Sequence, residues 1–399
     1  MEATLTKIMK NNVEYEILLY QFFLLTFWGI WYPDDWSFRR RRIHNIYFSV
    51  VFTFNFVICT EMLIHFIVSF GSDEFKLLNF FFVSANITAV YKSFQLHRSC
   101  QSIKIFIKHY FNENWMRCTN SEEIQIYEDI NLRVRNVTIT YSVSMALIVL
   151  LKASTPLAES NAIALPVDAL YPYPIEKQYW FWFTYFHQVI LGSSAICAHI
   201  GTDTLFVGLL LKAIGQVNLL KYRLQNLPIL NKNNLNCVEQ VKKIERKWLI
   251  QMIQHHQRIY RFGQDLNKIF HELLIILVIS SLPNICINVY SLSAYTDHIN
   301  VQYIATFFST TSALIQFFIT CWYGNELALK CMEVPSAIYE MNWNMLDVKV
   351  QKLLIFMMKR SDKPISFSVG YLIPMNIGSF INIIKTSYTA FNLLQQTTS

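Results

Sequence analysis

Long apolar stretches recur along this sequence and alternate with polar connections that carry most of the charge. A helix needs about 20 mostly apolar residues to cross the hydrocarbon core of a bilayer. Seven stretches reach this length and are named S1 to S7 in chain order: 43–70, 75–96, 134–155, 179–211, 266–292, 300–323 and 366–394. Their apolar positions follow helical spacing, whereas a membrane β-barrel would show shorter alternating segments. The pattern therefore predicts an all-α polytopic membrane protein with seven transmembrane helices.

A shorter apolar stretch at 17–31 precedes S1 and follows Lys7 and Lys10. That order of charge and apolar residues is also typical of a secretory signal peptide, which is the alternative interpretation. A cleavage site requires small residues, yet Trp28 and Trp31 stand where such a site would lie. The stretch is also short for a span. It therefore favours a half-buried or re-entrant helix over a cleaved signal peptide.

The basic residues are distributed unequally between the connections. If the N-terminus is cytosolic, 30 of the 34 Lys and Arg residues face the cytosol. They lie in four segments: 1–42, 92–135, 212–268 and 330–363. Three face outside, Lys76, Lys152 and Lys177, and Lys385 lies within S7. Because basic residues stay on the cytosolic side, the N-terminus is predicted inside and, after seven spans, the C-terminus outside. A G-protein-coupled receptor has the reverse orientation.

Composition and motifs exclude several functional classes. Apolar residues make up 53% of the chain and charged residues 15%, against about 25% charged in soluble domains. The net charge of +7 is scattered rather than gathered in one patch, so no nucleic-acid partner is expected. The sequence carries no phosphate-binding glycine loop, GxSxG or HExxH motif, so an enzyme is not expected. The eight cysteines lie in predicted spans or face the cytosol, and we expect no disulfide, metal site or cofactor.

Ionisable residues within predicted spans are functional candidates because they are costly to place in lipid. Glu61 and His65 stand four residues apart on one face of S1, and they could form a structural pair, a proton-sensitive site or part of a ligand pocket. Asp203, in the inner half of S4, is interpreted as an anchor for helix packing. His187 and His199 stand alone, so no metal site is assigned to them.

The last eighty residues carry the most specific motifs of the chain. They read CWYGNEL at 321–327, AIYEMNWNML at 337–346, QKLLIFMMKRSDKP at 351–364 and FINIIKTSYTAFNLL at 380–394. Near the other end, WGIWYPDD precedes a basic cluster within 28–42. In these motifs, and in its length and topology, the chain resembles the insect odorant receptor family.

The resemblance implies an odorant-gated, non-selective cation channel in the plasma membrane of olfactory sensory neurons. The family assembles as tetramers of a tuning subunit with a universal co-receptor, so the implied partners are a small volatile odorant, the co-receptor and membrane lipid. The co-receptor carries a long extra insertion between S4 and S5 that this sequence lacks, which indicates a tuning subunit. A gustatory-type channel, which would end in Thr-Tyr followed by Gln-Phe, and a metabotropic seven-helix receptor are the alternatives.

The resemblance also divides the chain into four parts. These are a cytosolic N-terminal segment with a short half-buried helix (1–42), helices S1–S6 with cytosolic extensions and the ligand pocket (43–323), a cytosolic anchor region (324–365), and the pore-lining S7 with a short extracellular C-terminus (366–399). Within the anchor region, 334–361 would form one cytosolic helix in a subunit interface. The interface candidates are Tyr339, Trp343, Leu353, Leu354 and Met357. The pore candidates on S7 are Tyr388, Phe391, Asn392 and Gln395, with Phe391 as an apolar gate that can dewet.

A small volatile ligand requires an apolar cavity with few polar groups. The outer halves of S2, S3, S4 and S6 offer such walls, because apolar and aromatic residues recur there at helical spacing. The candidates are Phe81, Phe82, Met145, Ile148, Phe183, His187, Ile190, Tyr303, Phe307 and Thr311. The connection 156–178 contains four prolines and cannot be a regular helix, so we expect it to cover the outer end of this pocket. The few hydroxyls and one imidazole suggest a ligand with a single acceptor, such as an ester, ketone or alcohol.

Overall fold

The computed structural model describes residues 13–71, 77–111, 118, 120–154, 165–226, 238–293, 301–341, 343, 346–370 and 373–398. Within them the helices are α1 (Val13–Phe27), α2 (Phe38–Val68), α3 (Leu78–Phe111), α4 (Ser121–Ala153), α5 (Gln178–Gln225), α6 (Val238–Ser293), α7 (Val301–Met332), α8 (Val334–Glu340), α9 (Val348–Ser361) and α10 (Ile377–Thr398). Strands β1 (Ser368–Val369) and β2 (Ile373–Pro374) form an antiparallel hairpin before α10. Helices α2 to α7 contain most or all of S1 to S6 in order, and α10 contains most of S7.

Five of the described helices, α2, α4, α5, α6 and α7, are long and apolar enough to cross a membrane. Helix α3 is more polar, but several of its polar side chains, among them Asn79, Lys92 and Gln95, are buried inside the bundle. Polar groups in a span are tolerated when they face the protein interior and bond to one another. The prediction of an all-α polytopic membrane protein is therefore confirmed.

Helix α5 forms the centre of the bundle. Nearly every residue from Ile200 to Leu220 is buried, as expected of a helix that is apolar all round and packed on every side. Glycines on one face of α5 receive α1: a Cβ on Gly201 would lie 2.5 Å from Leu25 Cδ2. On α1, Leu18 and Leu25 are buried, while Phe27 at the end of the helix is exposed. Helix α1 thus lies in the segment where a half-buried helix was predicted, with one side against α5.

Two boundaries predicted near the C-terminus are wrong. The expected single helix over 334–361 is divided into α8 and α9, and Met341 directly after α8 has an extended backbone (φ −74°, ψ 157°). The last span does not begin at 366, because the paired strands β1 and β2 lie there and α10 begins only at Ile377. Pro374 lacks the N–H that a helix interior requires. The hairpin is also tied to the core, since Phe367, Val369 and Met375 are all buried.

The hairpin approaches α7 at Gly324, within the Gly-Asn element of the C-terminal motifs. A Cβ on Gly324 would lie 2.7 Å from the backbone oxygen of Met375. No side-chain rotation of either residue could relieve such a contact. Gly324 therefore allows the chain to pass close to α7 immediately before it enters α10.

A carboxylate ties three helix ends together on the predicted cytosolic side of the bundle. Glu333 accepts hydrogen bonds from Lys221 of α5 at 2.5 Å and from Lys330 of α7 at 2.9 Å, at the point where α8 begins. Partial burial acts to raise the pKa of Glu333, but the two lysine hydrogen bonds outweigh it and hold the pKa below its usual value. The carboxylate is therefore ionised near neutral pH.

We expect epitope tags to report a cytosolic N-terminus and an extracellular C-terminus, because the distribution of Lys and Arg sets the orientation. Antibody labelling of intact and permeabilised cells measures this directly. The C-terminal tag should be labelled in both samples and the N-terminal tag only after permeabilisation. Labelling of the N-terminal tag on intact cells would contradict the orientation.

Candidate ligand-binding site

A cavity of about 170 Å³ lies within the predicted extracellular half of the bundle. Helices α3, α4, α5, α6 and α7 all contribute to its walls, together with Pro166 and Val167 of the segment before α5. An engineered protein cavity of about 150 Å³ is large enough to hold benzene. The volume therefore suits a small organic molecule.

The middle of the cavity is apolar. Phe81 and Phe82 of α3 face Met145 and Ile148 of α4, and Ile196 of α5 contributes a further aliphatic surface. The first four are sequence-predicted ligand residues, and the structure brings them together. Helices α3 and α4 therefore present the predicted faces to the cavity.

Helices α5 and α7 line the cavity with different faces from those predicted. The α5 face is Gln188, Val189, Gly192, Ala195, Ile196 and His199, and the α7 face is Ser309, Ser312, Ala313 and Gln316. The predicted residues Phe183, Ile190 and Phe307 point away from it, with exposed fractions of 58%, 54% and 50%. Tyr303, Thr311 and His187 do not line it either. His187 lies instead between the rings of Phe54 and Phe183.

Small and polar residues form the wall that sequence reasoning missed. A search for aromatic residues at helical spacing overlooks Gly192 and Ala195. These two residues contribute to the cavity because their side chains are small and leave room for it. The available signal was their spacing: Gly192, Ala195 and His199 stand three and four residues apart on one face of α5.

The segment before α5 forms the roof, as expected for the Pro-rich connection, of which the structure describes residues 165–177. Gln188 of α5 holds this segment by its side-chain amide: Oε1 accepts from the backbone N–H of Val167 at 3.0 Å, and Nε2 donates to the Val167 carbonyl at 2.8 Å. Nε2 also donates to the Tyr171 hydroxyl at 2.7 Å. Beside the roof, the Lys152 ammonium lies 4.4 Å from the centre of the Phe82 ring.

The floor of the cavity is a buried polar network around Lys92 and Asp203. The Lys92 ammonium donates to Asp203 Oδ1 at 2.6 Å, and both side chains are almost fully buried. Gln316 donates to Asp203 Oδ2 at 2.6 Å, and the Tyr141 hydroxyl donates to the same oxygen at 3.4 Å. The network therefore joins α3, α4, α5 and α7 at one level. Asp203 anchors helix packing, as expected, whereas Lys92 was counted with the cytosolic connection and is instead part of the cavity.

Of the arrangements considered for Glu61 and His65, the structural pair is not seen among the described residues. Glu61 Oε2 and His65 Nδ1 are both buried without a hydrogen-bond partner among the described residues. Neither side chain lines the cavity. No group of three or more His, Cys, Asp or Glu side chains in the described part of the chain could hold a metal ion.

The predicted interface residues fall into two groups. Tyr339 (71% exposed) and Leu353 are exposed, whereas Leu354 and Met357 are buried in the core of their own chain. Trp343 is partly buried against the same core. Tyr339 and Leu353 therefore have the most surface to offer another subunit, and Phe356 of α9 is also exposed.

The predicted pore residues lie on a helix with one strongly exposed side. Tyr388 and Gln395 are exposed, and Phe391 and Asn392 are half-buried. The rings of Tyr388 and Phe391 stack with their centres 6.3 Å apart. Beside them runs a polar stripe of exposed residues at helical spacing: Asn382, Lys385, Thr389 and Gln396.

Comparison with known proteins gives a consistent picture. The model of the 7tm Odorant receptor family matches residues 73–388. Odorant receptor 10 of Aedes albopictus is 26% identical over 215 residues, which are 53% of this chain and 54% of that protein. Putative odorant receptor 92a of Drosophila melanogaster is 28% identical over 233 residues, 57% of this chain and 53% of that protein. The chain thus spans about half the length of the curated relatives it matches.

The fold as a whole also matches a solved structure. The insect olfactory receptor OR5 from Machilis hrabei in complex with eugenol aligns with a TM-score of 0.82 at 15% identity, covering 96% of this chain and 98% of that one. At this level of identity the likeness concerns the fold alone.

Proposed function

Because this chain belongs to the 7tm Odorant receptor family, we propose that it is a tuning subunit that binds a small volatile odorant and opens a cation channel. In this proposal the channel is a heterotetramer with the universal co-receptor, in the plasma membrane of olfactory sensory neurons. The chain is an odorant receptor subunit rather than an enzyme.

The cavity carries the proposal. Its volume of about 170 Å³ and its apolar middle around Phe82, Met145 and Ile148 suit a ligand of few heavy atoms. Such a ligand has little surface, so its affinity must come from enclosing most of that surface. The roof held by Gln188 supplies enclosure on the outer side.

The exposed polar stripe on α10 supports the channel. Polar side chains on a transmembrane helix are costly against lipid and are expected to face water or another subunit. Asn382, Lys385 and Thr389 are all exposed on the surface of the single chain. In an isolated subunit this surface would face lipid, so the polar side chains need water or another subunit beside them. We propose that this stripe, with Asn392 and Gln395 beside it, lines a pore shared between subunits, and that Phe391 supplies the apolar constriction.

The exposed apolar residues of α8 and α9 support assembly. Tyr339, Leu353 and Phe356 lie on cytosolic helices and would stand in water in an isolated subunit. Apolar surface left in water costs about 25 cal/mol per Å². We propose that this surface contacts a neighbouring subunit, whereas Leu354 and Met357 stabilise the chain itself.

Recording from cells that express this chain with the co-receptor tests the proposed function. A panel of volatile compounds should elicit inward cation currents, and these currents should persist when G-protein signalling is blocked. Currents that disappear under that block would favour a metabotropic receptor. Absence of any current at normal surface expression would contradict the channel.

We expect Ile148→Trp to lower odorant potency about tenfold or more, because the larger ring occupies a cavity of about 170 Å³. Dose–response curves at matched surface expression measure the effect. Phe307→Ala is the control, since Phe307 is half exposed and lies off the cavity. Equal curves for Ile148→Trp and the unmodified receptor would place the ligand elsewhere.

A further inference from the structure

The charged groups that face the cavity are unusual for an apolar site. Lys92 stands at the floor and Lys152 at the outer end, and none of the described residues that line the cavity carries a carboxylate. Asp203 lies behind Lys92 rather than on the cavity surface. The described lining of the cavity therefore carries two positive groups and no negative group.

The hydrogen bonds of the floor leave one donor unused. The imidazole of His199 places Nε2 3.1 Å from the Ala85 carbonyl, so Nε2 carries the proton and Nδ1 is the acceptor. Lys92 Nζ lies 3.3 Å from that Nδ1 and 2.6 Å from Asp203 Oδ1. These two acceptors take two of the three ammonium N–H groups. The third has no acceptor among the described residues, although Lys92 is 1% exposed and lines the cavity.

We propose that this third N–H of Lys92 recognises the oxygen of a neutral carbonyl group, so that the receptor is selective for ketones, aldehydes or esters. The inference rests on the proposed function and deepens it by assigning the ligand class. A buried N–H without an acceptor is costly in a medium of low dielectric constant. A carbonyl oxygen at the floor satisfies it, and the remaining hydrocarbon of the ligand contacts Phe82, Met145 and Ile148.

The charges and the unused donor around the cavity disfavour carboxylates, protonated amines and alkanes as ligands. Lys92 and Asp203 together are neutral, so a carboxylate at the floor would add a buried charge with no partner at that level. Lys152 stands at the opposite end of the cavity, beside Phe82. Among the described residues that line the cavity, a protonated amine would meet Lys92 and Lys152 and no carboxylate. An alkane leaves the Lys92 donor without an acceptor.

The test compares a methyl ketone, an n-alkane, a primary amine and a carboxylate of the same chain length, over a series of lengths. Currents from cells that express both subunits report activation, and thermal stabilisation of the purified complex reports binding without gating. The ketone should be preferred over the other three by roughly ten- to hundredfold, the range of a hydrogen bond from a charged donor. Preference for the amine, alkane or carboxylate, or no stabilisation by any ketone, would overturn the assignment. Ligand binding without current would instead count against the channel and leave the ligand class supported.

Substitutions at the floor of the cavity test whether the preference for ketones depends on Lys92. Lys92→Met combined with Asp203→Asn removes the ammonium without leaving a buried carboxylate unpaired, and it should abolish the preference for ketone over alkane. Lys92→Arg keeps a charged donor and should retain the preference. Lys152→Met, at the other end of the cavity, is the matched control and should also retain it. A ketone preference that survives in the double variant at normal surface expression would overturn the role of Lys92.

Discussion

Asp203→Ala is expected to destabilise this protein by about 3–5 kcal/mol, enough to remove most of it from the cell surface. The substitution leaves the Lys92 ammonium buried without its carboxylate, in the interior of four packed helices. It also removes the acceptor of the Gln316 and Tyr141 hydrogen bonds. Surface labelling and thermal unfolding of the purified protein measure the loss.

Two further variants separate the buried charge from the lost contacts. Lys92→Met with Asp203→Asn removes both charges and should recover most of the stability, because replacing a buried pair as a unit costs far less than breaking it. Arg133→Ala breaks the ion pair between Arg133 and Glu326, in which the arginine side chain is 58% exposed. Loss of this pair should lower the free energy of unfolding by less than about 1 kcal/mol. If Asp203→Ala were as mild as Arg133→Ala, the network at the floor would not anchor the bundle.

Gly324→Ala is expected to destabilise the protein by about 1–3 kcal/mol and to change the basal current. The new Cβ would meet the backbone oxygen of Met375 at 2.7 Å, so α7 and the hairpin must move apart. Met375 precedes α10 by two residues, and displacement of the hairpin is therefore transmitted to the proposed pore helix. Thermal unfolding and recordings without ligand measure the two effects.

Gly192→Ala is the matched control for that substitution. A Cβ on Gly192 would meet nothing within 4 Å, and alanine is favoured over glycine in a helix by up to about 1 kcal/mol. Gly192→Ala should therefore be as stable as the unmodified protein or more so. A Gly324→Ala protein that matched it in stability and basal current would show that the hairpin tolerates the added methyl group.

The predicted ligand residues of α5 and α7 lie off the cavity, and a physical reason explains why their positions did not indicate this. Lipid tails and the protein interior are similarly apolar, so an aromatic side chain on a transmembrane helix is stable facing either. Phe183 and Phe307 can therefore face outward without loss of stability, as they do here. Their aromatic character does not show whether they face lipid or the protein interior. The small residues Gly192 and Ala195 mark the inward face better, since a cavity requires space.

The polar floor could not be found from local sequence. Lys92 and Asp203 are 111 positions apart, and each alone resembles a residue near the cytosolic end of a span. Lys92 was counted with the basic residues that set the orientation, and only the packing of α3 against α5 shows that it is buried. Likewise, the break between α8 and α9 interrupts a stretch that reads as one amphipathic helix.

The sequence by itself determined the class of the protein, the order of its long apolar helices and its family. Long apolar segments are required wherever a backbone crosses lipid, so they are visible along the chain. Tertiary structure decided which face of each helix lines the cavity, which charges pair, and where α10 begins. Those features depend on contacts between residues distant in the chain, and hydropathy carries no information about them because lipid and protein interior solvate apolar side chains alike.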